Sequence, residues 1–290
     1  MENRINGHTR LFCLIGSPVG HSGSPAMYNY SFDRLNLDNA YLAFDIPLEK
    51  TGEAVQALKL MHVGGFNITM PCKTEVTKYL DDLSPAARMI GACNTVTVSE
   101  DGKLTGHNTD GVGFVRNLRK NGVDVKGKKL LVMGAGGAAT ALTIQAALDG
   151  AAEIHIFNRK GFKFYENGEH TVEKVLANVP GCKIDIHDLL DTAALEAAVK
   201  ECDILVNATK VGMAPLDKET LINPAWFRPE MVVADTVYNP RDTRMILEAR
   251  AAGCKAIGGI GMLLQQGVEA FHLFTGKDMP EDEVMQKFFS

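Results

Sequence analysis

The chain has 290 residues, of which 46% are apolar, and this composition is typical of a globular protein that folds around a hydrophobic core. With 35 acidic and 30 basic residues the formal net charge is -5, so the chain lacks the cationic excess that binds nucleic acids and anionic membranes. No apolar run approaches the roughly 18 residues of a membrane span, and the one near the N-terminus is too short for a signal peptide, so we expect a cytoplasmic protein.

The first hundred residues predict strands that alternate with helices. Such alternation requires crossover connections and favours a mainly parallel sheet. Ser24 and Pro25 are typical of an N-cap and a first helical position. The segment 94–108 differs, because two short β runs flank a Glu-Asp-Gly turn, and it predicts a hairpin. The predicted strands are RLFCLIG (10–16), NAYLAFDI (39–46) and GGFNITM (64–70), and the helices are SPAMYNYSFDRL (24–35) and EKTGEAVQALKLM (49–61).

A second α/β pattern begins near residue 128, and HNTDGVGF (107–114) is a plausible joint between the two patterns. The second pattern starts as strand, glycine turn and helix in KKLLVMGAGGAATALTIQAALDG (128–150). Further strands are predicted at AEIHIFNR (152–159), KIDIHD (183–188), DILVNAT (203–209) and MVVADTVY (231–238). Helical periodicity marks AALEAAVKE (193–201), TRMILEARAAG (243–253), GMLLQQGVEAFHLFTG (261–276) and PEDEVMQKFF (280–289).

The turn GAGGAA (134–139) lies between an apolar strand and a helix, which is the context that a dinucleotide-binding fingerprint requires. Gly134 permits the tight turn, Gly136 lets the backbone approach a pyrophosphate, and Ala139 fills the third position of the motif. The helix N-terminus then offers free N–H groups to the phosphates. The alternative is a glycine turn needed only for close packing of strand and helix.

The end of the next strand, FNRKGFK (157–163), bears on the choice of nucleotide. NAD sites usually place Asp or Glu here, on the ribose hydroxyls. This chain has Asn158, Arg159, Lys160 and Lys163 instead, and no acid before Glu166. Arginine can bind a 2′-phosphate in bidentate fashion, whereas a carboxylate would repel it. The turn therefore favours NADP over NAD, although basic residues at a surface turn also occur for solubility alone.

Eight spaced motifs carry a family resemblance. They occur in the order HSGSP (21–25), NITMPCK (67–73), GACNT (91–95), GHNTDGVGF (106–114), GAGGAAT (134–140), NATKVGM (207–213), VYNP (237–240) and GMLLQQG (261–267). The chain resembles the shikimate dehydrogenases over nearly its whole length, and within that family the bifunctional quinate/shikimate dehydrogenase branch.

The resemblance implies two α/β domains, with a Rossmann-like nucleotide domain inserted into a substrate domain and the active site in the cleft. The substrate domain would comprise residues 1–109 and 261–290, and the NAD(P)-binding domain residues 110–260. The implied reaction is reversible hydride transfer at C3 of shikimate, giving 3-dehydroshikimate, and of quinate, giving 3-dehydroquinate. This chemistry belongs to aromatic amino acid biosynthesis.

The resemblance also implies a catalytic pair. Lys73 matches the catalytic lysine of the N-x-T-x-P-x-K motif, and Asp110 matches its partner in the N-T-D-G motif. Taken alone, Lys73 could be an ordinary surface lysine and Asp110 a helix N-cap. The residues implied in substrate binding are Ser22, Ser24, Thr69, Lys73, Asn94, Asp110, Tyr238 and Gln266.

Each of the other substrate positions also has a structural interpretation. Ser24 could serve only as an N-cap and Asn94 only as a turn residue, while Tyr238 could be a half-buried strand aromatic and Gln266 a helix surface residue. Asn67 could simply brace the turn. Cys72 lies beside Lys73, and from this position we expect alkylation of the thiol to slow turnover.

The cofactor positions implied by the family extend over the second pattern. Gly161 stands where the dual-cofactor branch commonly has an acid, which weakens the case for NAD, and Gly23 replaces a larger residue between the two serines. The implied cofactor-binding residues are Gly134, Ala135, Gly136, Gly137, Ala138, Asn158, Arg159, Lys160, Thr209, Lys210, Gly259 and Met262.

Several alternatives stay open at the level of sequence. A quinate-preferring or aminoshikimate-preferring dehydrogenase differs from the main hypothesis by one ring substituent, and a non-catalytic sensor of shikimate-type ligands would have no need of the pair Lys73 and Asp110. The expected partner is a small-molecule substrate, and a homodimer stays open because the family contains monomers and dimers. The six cysteines form no C-x-x-C pair and the eight histidines are scattered, so we expect no metal site.

Overall fold

The structure, a computed structural model, describes residues 5–289. Its contacts divide the chain into two compact units. The first unit contains the described residues up to Thr109 and those from Gln266 onward, and the second unit is Asp110–Gln265. The chain therefore returns to the first unit at Gln266, whereas the family resemblance places that return at residue 261.

The first unit alternates strands and helices, as its periodicity predicts. Proline stands within the first turn of two of its helices, where no backbone N–H is needed. The elements up to the first crossing between units are β1 (Arg10–Gly16), α1 (Ser24–Arg34), β2 (Asn39–Asp45), α2 (Thr51–Leu60), β3 (Gly65–Ile68), β4 (Asp82–Leu83), α3 (Pro85–Ile90), β5 (Thr95–Val98) and β6 (Leu104–His107).

The sheet of the first unit has the strand order β2-β1-β3-β5-β6-β4. β1 pairs in parallel with β2 and β3, whereas β5 runs antiparallel to β3 and β6. The predicted hairpin is confirmed as β5 and β6. Because β5 opposes β3, the residue before β5 lies at the same edge of the sheet as the residues after β1 and β3. This geometry gathers the polar side chains described below.

The second unit continues the alternation of helices and strands. The remaining elements are α4 (Thr109–Lys120), β7 (Lys129–Met133), α5 (Gly137–Leu148), β8 (Glu153–Asn158), α6 (Tyr165–Asn178), β9 (Lys183–Asp188), α7 (Thr192–Glu201), β10 (Ile204–Asn207), β11 (Val232–Asp235), α8 (Arg244–Ala251), β12 (Lys255–Ile257), α9 (Ile260–Thr275) and α10 (Glu281–Phe288). The end of α9 and the whole of α10 belong to the first unit.

The sheet of the second unit has the order β12-β11-β10-β7-β8-β9, and its pairings are parallel. If β7 is numbered as strand 1 of the unit and the sheet is followed from β9 to β12, the order is 3-2-1-4-5-6, which is that of the dinucleotide-binding α/β fold. The order reverses between β7 and β10, and ligands of such sheets bind at the carboxyl ends of the strands at this point. The predicted α/β fold class is confirmed.

An aromatic cluster joins the C-terminal segment to the first unit. The Tyr28 and Tyr41 rings stack with their centroids 4.4 Å apart. The ring centroid of Phe271 in α9 lies 5.5 Å from that of Phe32. The Tyr28 hydroxyl also donates to the carbonyl oxygen of Gly267 at 3.1 Å. Offset aromatic contacts and buried apolar area both stabilise this return of the chain.

Four elements are not predicted from the sequence. The strands β4 and β12 and the six-residue helix α3 are too short to show periodicity, and α6 follows a turn rich in basic and aromatic residues. The predicted strand 231–238 is too long, because β11 ends at Asp235. Within residues 5–289, no helix combines the length and apolar character needed to cross a membrane.

Candidate functional site

The turn after β3 is fixed to the neighbouring strand by its backbone. The N–H of Thr69 donates to the carbonyl oxygen of Ile15 at 2.9 Å, and the N–H of Ser17 donates to Met70 at 3.0 Å. Gly16 ends β1 with a φ of +150°, and a Cβ there would approach the Thr69 methyl group at 2.5 Å. Glycine is therefore needed at this close approach. Thr69 is half-buried at the edge of the sheet.

Asn94 lies at the same edge, immediately before β5. Its side chain is buried, and its Oδ1 accepts from the backbone N–H of Thr109 at 2.8 Å and from the Thr95 hydroxyl at 3.1 Å. Its Nδ2 lies 3.0 Å from the Thr109 hydroxyl. Asn94 therefore has a bracing role in a buried network that joins β5 to the start of α4, rather than the role of a simple turn residue.

Lys73 follows the turn and is half-buried. Its carbonyl oxygen accepts from the N–H of Cys93 at 2.8 Å, which ties NITMPCK to GACNT. The neighbouring Cys72 is 0% exposed, and its thiol lies 3.5 Å from the carbonyl oxygen of Ile46. A reagent cannot reach this thiol in the folded protein, so the alkylation expected from the sequence would require local opening.

Asn67 is a bracing residue of the sheet. The side chain is buried, its Oδ1 accepts from the Tyr41 hydroxyl at 2.7 Å, and its Nδ2 donates to the Asn94 carbonyl at 3.1 Å and the Thr95 hydroxyl at 2.9 Å. These contacts account for its amide hydrogen bonds inside the sheet. The motif therefore contributes Thr69 and Lys73 to the surface and Asn67 to the core.

The predicted N-cap of α1 is wrong. Gly23 occupies the N-cap position and Ser24 is the first helical residue, so the Ser24 hydroxyl does not cap the helix. Instead the N–H of Ser24 donates to the Ser22 hydroxyl at 3.3 Å. Both serines are half-buried and lie next to each other, which leaves the Ser24 hydroxyl free of a capping role.

The glycine turn of the second unit has the geometry that a pyrophosphate requires. Gly134 has a φ of +107°, and a Cβ there would approach the Ala208 carbonyl oxygen at 2.9 Å. Gly136 is the N-cap of α5, with no side-chain cap, and Gly137 and Ala138 are exposed. Ala135 is buried beneath them. Backbone N–H groups and the positive end of the helix dipole are thus accessible to an anion at the switch point of the sheet.

Asn167 of α6 stabilises the glycine turn through side-chain hydrogen bonds. Its Nδ2 donates to the carbonyl oxygen of Ala135 at 2.5 Å and to the hydroxyl of Thr140 at 3.0 Å. The Thr140 hydroxyl is in turn 3.4 Å from that of Thr171. Asn167 could not be predicted from the sequence, because it lies outside the fingerprint and reaches the turn through the packing of α6 on α5.

The basic turn after β8 is exposed at Arg159 and Lys160. The Arg159 guanidinium lies 5.7 Å from the Phe162 ring centroid, within cation–π distance. Gly161 has a φ of +79°, a conformation that favours glycine over residues with a side chain. The Asn158 carbonyl accepts from the N–H of Leu189 at 2.9 Å, so the turn lies beside the end of β9.

That neighbouring strand brings an acid to the turn. The Asp188 carboxylate accepts from the N–H groups of Leu190 at 3.1 Å and Lys160 at 3.2 Å. These backbone hydrogen bonds lower the pKa of Asp188. The acid that is missing along the sequence is therefore present in space, but it is bound to the backbone of the basic turn.

A buried polar network joins the loops after β10 and β11. Asn207 and Asp235 are the last residues of these strands, and the Asn207 amide donates to the Asp235 carboxylate at 3.0 Å. The other carboxylate oxygen accepts from the Thr243 hydroxyl at 2.7 Å. Burial raises the pKa of Asp235 to about 6, and these hydrogen bonds only partly oppose the shift.

The same network shapes two predicted cofactor segments. The Asn207 Oδ1 accepts from the hydroxyl of Thr209 at 2.7 Å, and Lys210 beyond it is exposed. The Asp235 Oδ1 accepts from the N–H of Val237 at 2.9 Å, which turns the backbone and ends β11. Polar residues at the carboxyl ends of apolar strands were a signal in the sequence for Asn207 and Asp235.

The exposure and element of four predicted positions bear on their alternative structural roles. Tyr238 is 51% exposed and lies beyond β11, so it is not a half-buried strand aromatic. Asp110 is the second residue of α4 and not its N-cap. Met262 and Gln266 are half-buried in α9, which is compatible with either interpretation of Gln266.

Gly259 precedes α9 and is buried against the segment after β11. A Cβ there would approach the carbonyl oxygens of Thr236 and Val237 at 2.5 Å each. Only glycine permits this contact, so Gly259 fixes the distance between the two backbones. Of the predicted positions, the first unit holds the two serines with Thr69, Lys73, Asn94 and Gln266, and the second unit holds the rest.

Two family models match this chain. Residues 14–96 match the shikimate dehydrogenase substrate binding domain, and residues 259–287 match the shikimate 5'-dehydrogenase C-terminal domain. The first range covers most of the sheet of the first unit, and the second covers α9 and most of α10.

Full-length relatives extend the match to the whole chain. A shikimate dehydrogenase (NADP+) of Listeria monocytogenes serotype 4b is 48% identical over 290 residues, covering 100% of this chain and 99% of the relative. A solved structure of shikimate 5-dehydrogenase from Listeria monocytogenes, in complex with shikimate and NAD, has a TM-score of 0.97 at 47% identity, covering 100% of this chain and 99% of that one. A quinate dehydrogenase from Corynebacterium glutamicum, in complex with NAD, has a TM-score of 0.85 at 27% identity, covering 97% and 98%.

The parallel sheet in the order 3-2-1-4-5-6, with a glycine turn at its switch point, defines the second unit as a dinucleotide-binding α/β fold. The sequence identity of 47–48% over the full chain identifies the family within this fold class. The chain belongs to the shikimate dehydrogenase family.

Proposed function

We propose that this protein catalyses the reversible, NADP-dependent oxidation of shikimate to 3-dehydroshikimate, a step of aromatic amino acid biosynthesis. The observation that carries the proposal is 48% identity over the full chain to a shikimate dehydrogenase (NADP+), with the eight family motifs in order. The bound nicotinamide cofactor would accept the hydride from C3. The chain itself must bind the ring, orient it and move one proton at the C3 oxygen.

We propose Lys73 as the group that transfers this proton and Asp110 as its partner. The support is the match of both residues to the family's catalytic motifs. The structure adds that the backbone of Lys73 is anchored to Cys93, so the ammonium group extends from a fixed point. Fixed donors lose less entropy on reaching the reacting geometry than mobile ones.

We propose that the substrate carboxylate and ring hydroxyls are bound by the remaining family positions. Ser22 and Ser24 would bind the carboxylate, and Thr69, Asn94, Tyr238 and Gln266 would contact the carboxylate or the hydroxyls. A site that hydrogen-bonds hydroxyl groups discriminates strongly against analogues that lack them. The adjacency of the two serines and the location of Thr69 and Asn94 at one sheet edge support this assignment.

For the cofactor we propose that Gly134 to Ala138 bind the pyrophosphate and that Asn158, Arg159 and Lys160 bind the adenine ribose and its 2′-phosphate. The accessible N-terminus of α5 fits an anion, and the exposed basic turn fits a further phosphate. Thr209, Lys210, Gly259 and Met262, which match family positions near the cofactor, would complete the site. NAD is the alternative, since the similar Listeria structure is a complex with NAD.

Quinate is the second substrate that we propose, supported by the likeness to the quinate dehydrogenase from Corynebacterium glutamicum. It shares the carboxylate and hydroxyl pattern that these residues would bind. A non-catalytic sensor would bind the same ligands without turnover.

The test is a comparison of kcat/KM for shikimate and quinate, each with NADP and NAD, because this ratio measures discrimination. We expect the highest value for shikimate with NADP. Comparable values for quinate would establish dual substrate use, and a preference for NAD would refute the assignment of the basic turn. Saturable shikimate binding without nicotinamide reduction would refute the proposed catalysis.

A further inference from the structure

Two histidines and two acids that are scattered in the sequence come together on one face of the second unit's sheet. The pairing of β8 with β9 places His155 opposite Asp185, and His187 follows two residues along β9. Side chains alternate along a strand, so these three residues share a face, together with Glu153 two residues before His155. Sequence spacing gives no sign of this cluster, because His155 and Asp185 lie 30 residues apart in the chain.

The donor atoms of the cluster converge on one point. The Nδ1 of His155 lies 2.6 Å and the Nε2 of His187 lies 3.0 Å from the same oxygen, Oδ1 of Asp185. One ligand atom from each of these residues lies within 4.8 Å of the others. A tetrahedral Zn²⁺ ion with ligands at about 2.0–2.1 Å holds its ligand atoms roughly 3.3 Å apart. Small side-chain rotations would therefore admit an ion between the three groups.

Glu153 supplies the outer partner that such a site needs. Its carboxylate oxygen lies 3.4 Å from the Nε2 of His155, the ring nitrogen that points away from Asp185. Histidines that bind metals usually donate their second N–H to a carboxylate, which orients the ring. Lys129 lies 3.4 Å from the other oxygen of Glu153, so the positive charge of Lys129 offsets this second carboxylate.

The cluster is accessible to an ion from solvent. The side chains of Asp185 and His187 are 49% and 37% exposed, while that of His155 is 22% exposed. The Phe157 ring stacks on His187 with centroids 5.0 Å apart and holds its orientation. We propose that His155, Asp185 and His187 form a binding site for a divalent transition metal of the Zn²⁺ class, with Glu153 as the orienting partner.

Such an ion would cross-link β9, the edge strand, to β8. β9 is the last strand of the sheet and pairs only with β8 in it. It also ends in Asp188, which holds the backbone of Lys160. Metal binding would therefore stabilise the native second unit by mass action, without taking part in hydride transfer.

The test is titration of the untagged full-length protein with Zn²⁺ by calorimetry, after chelator treatment and dialysis. We expect one saturable site per chain, and we expect His187→Gln and His155→Gln each to weaken binding at least about tenfold. His8→Gln is the matched control, since His8 is an exposed histidine outside the cluster, and it should bind as the wild type does.

A second measurement separates ligand loss from misfolding. Melting followed by Trp226 fluorescence should shift upward with Zn²⁺ in the wild type and should not shift in His187→Gln, whose melting without metal should match the wild type. The proposal is overturned if the wild-type protein takes up no Zn²⁺, or if the cluster variants bind as tightly as His8→Gln. The cluster would then be only a carboxylate that accepts hydrogen bonds from two rings.

Discussion

Gly161 lies in the basic turn after β8, where its positive φ and the lack of a side chain bear on the choice between NAD and NADP. Its φ of +79° favours glycine, and by the family resemblance this is a position where the dual-cofactor branch commonly has an acid. We expect Gly161→Asp to raise the ratio of kcat/KM with NAD to that with NADP by about tenfold, because a carboxylate repels the 2′-phosphate. The four-way kinetic assay measures this ratio directly.

Gly161→Asn is the matched control, since asparagine meets the same backbone strain without the charge, and both residues tolerate a positive φ better than most others. A similar ratio change in both variants would show that strain, and not charge, sets the cofactor preference. No change in either would place the ribose away from this turn.

Lys73 offers a second test at the scale of a single residue. If it transfers the proton, Lys73→Ala should lower kcat for shikimate by about 10²–10⁴-fold with little change in KM. Lys78→Ala is the control, because Lys78 is exposed and pairs with the neighbouring Glu75 at 2.7 Å. A Lys73→Ala enzyme that keeps kcat while KM rises would assign Lys73 to substrate binding alone.

At the scale of elements, one buried amide connects three strands. Asn67 of β3 bonds to Tyr41 of β2 and to Thr95 of β5. Asn67→Ala removes three hydrogen bonds and leaves buried polar groups unpaired, so we expect the free energy of unfolding to fall by about 3 kcal/mol. Urea denaturation followed by circular dichroism measures this change.

Tyr41→Phe removes only one of these hydrogen bonds, and it should cost about 1 kcal/mol. A larger loss of unfolding free energy in Asn67→Ala than in Tyr41→Phe would show that Asn67 stabilises the sheet. If Asn67→Ala unfolds at the same urea concentration as the wild type but binds shikimate poorly, then Asn67 contacts the substrate and the bracing interpretation is wrong.

The elements also show which parts of the fold and site the sequence can predict. Long periodic segments such as the helix 261–276 and the hairpin 94–108 appear as predicted, because their own composition determines them. Thr69 and Asn94 are visible in motifs, and the antiparallel pairing of β3 and β5 brings them to one edge. The cap of α1 was missed because Gly23 takes that position with a helical backbone.

Other contacts depend on long-range pairing, which no local pattern encodes. Asp188 reaches the basic turn only because β9 pairs with β8, and Asn167 reaches the glycine turn only because α6 packs on α5. The cluster of His155 and His187 has the same origin. Spacing along the chain does not report residues that meet across a sheet, so the sequence could not indicate this cluster, and the expectation of no metal site stays a prediction that the zinc titration tests.

For the molecule as a whole, stability should depend on pH through Asp235. Its native pKa of about 6 lies above the ordinary value of 3.8, because burial disfavours the charged form. The native state therefore holds a proton that the unfolded chain releases between these values. The stability that Asp235 contributes is fully present below pH 3.8 and is lost as the pH rises through 6. The difference between these two pKa values corresponds to about 3 kcal/mol.

Asp235→Asn isolates this effect, because asparagine stays neutral, keeps an oxygen for Asn207 and Val237, and offers its amide to the hydroxyl of Thr243. Trp226 is the single tryptophan and packs on the core of the second unit, so its fluorescence follows the unfolding of that unit. The free energy of unfolding of the wild type minus that of the variant should fall by about 2 kcal/mol between pH 4 and pH 7, because part of the effect already lies below pH 4. Other carboxylates titrate equally in both proteins and cancel in the difference. A difference that stays constant across this range would mean that Asp235 is charged throughout and that its three hydrogen bonds outweigh its burial.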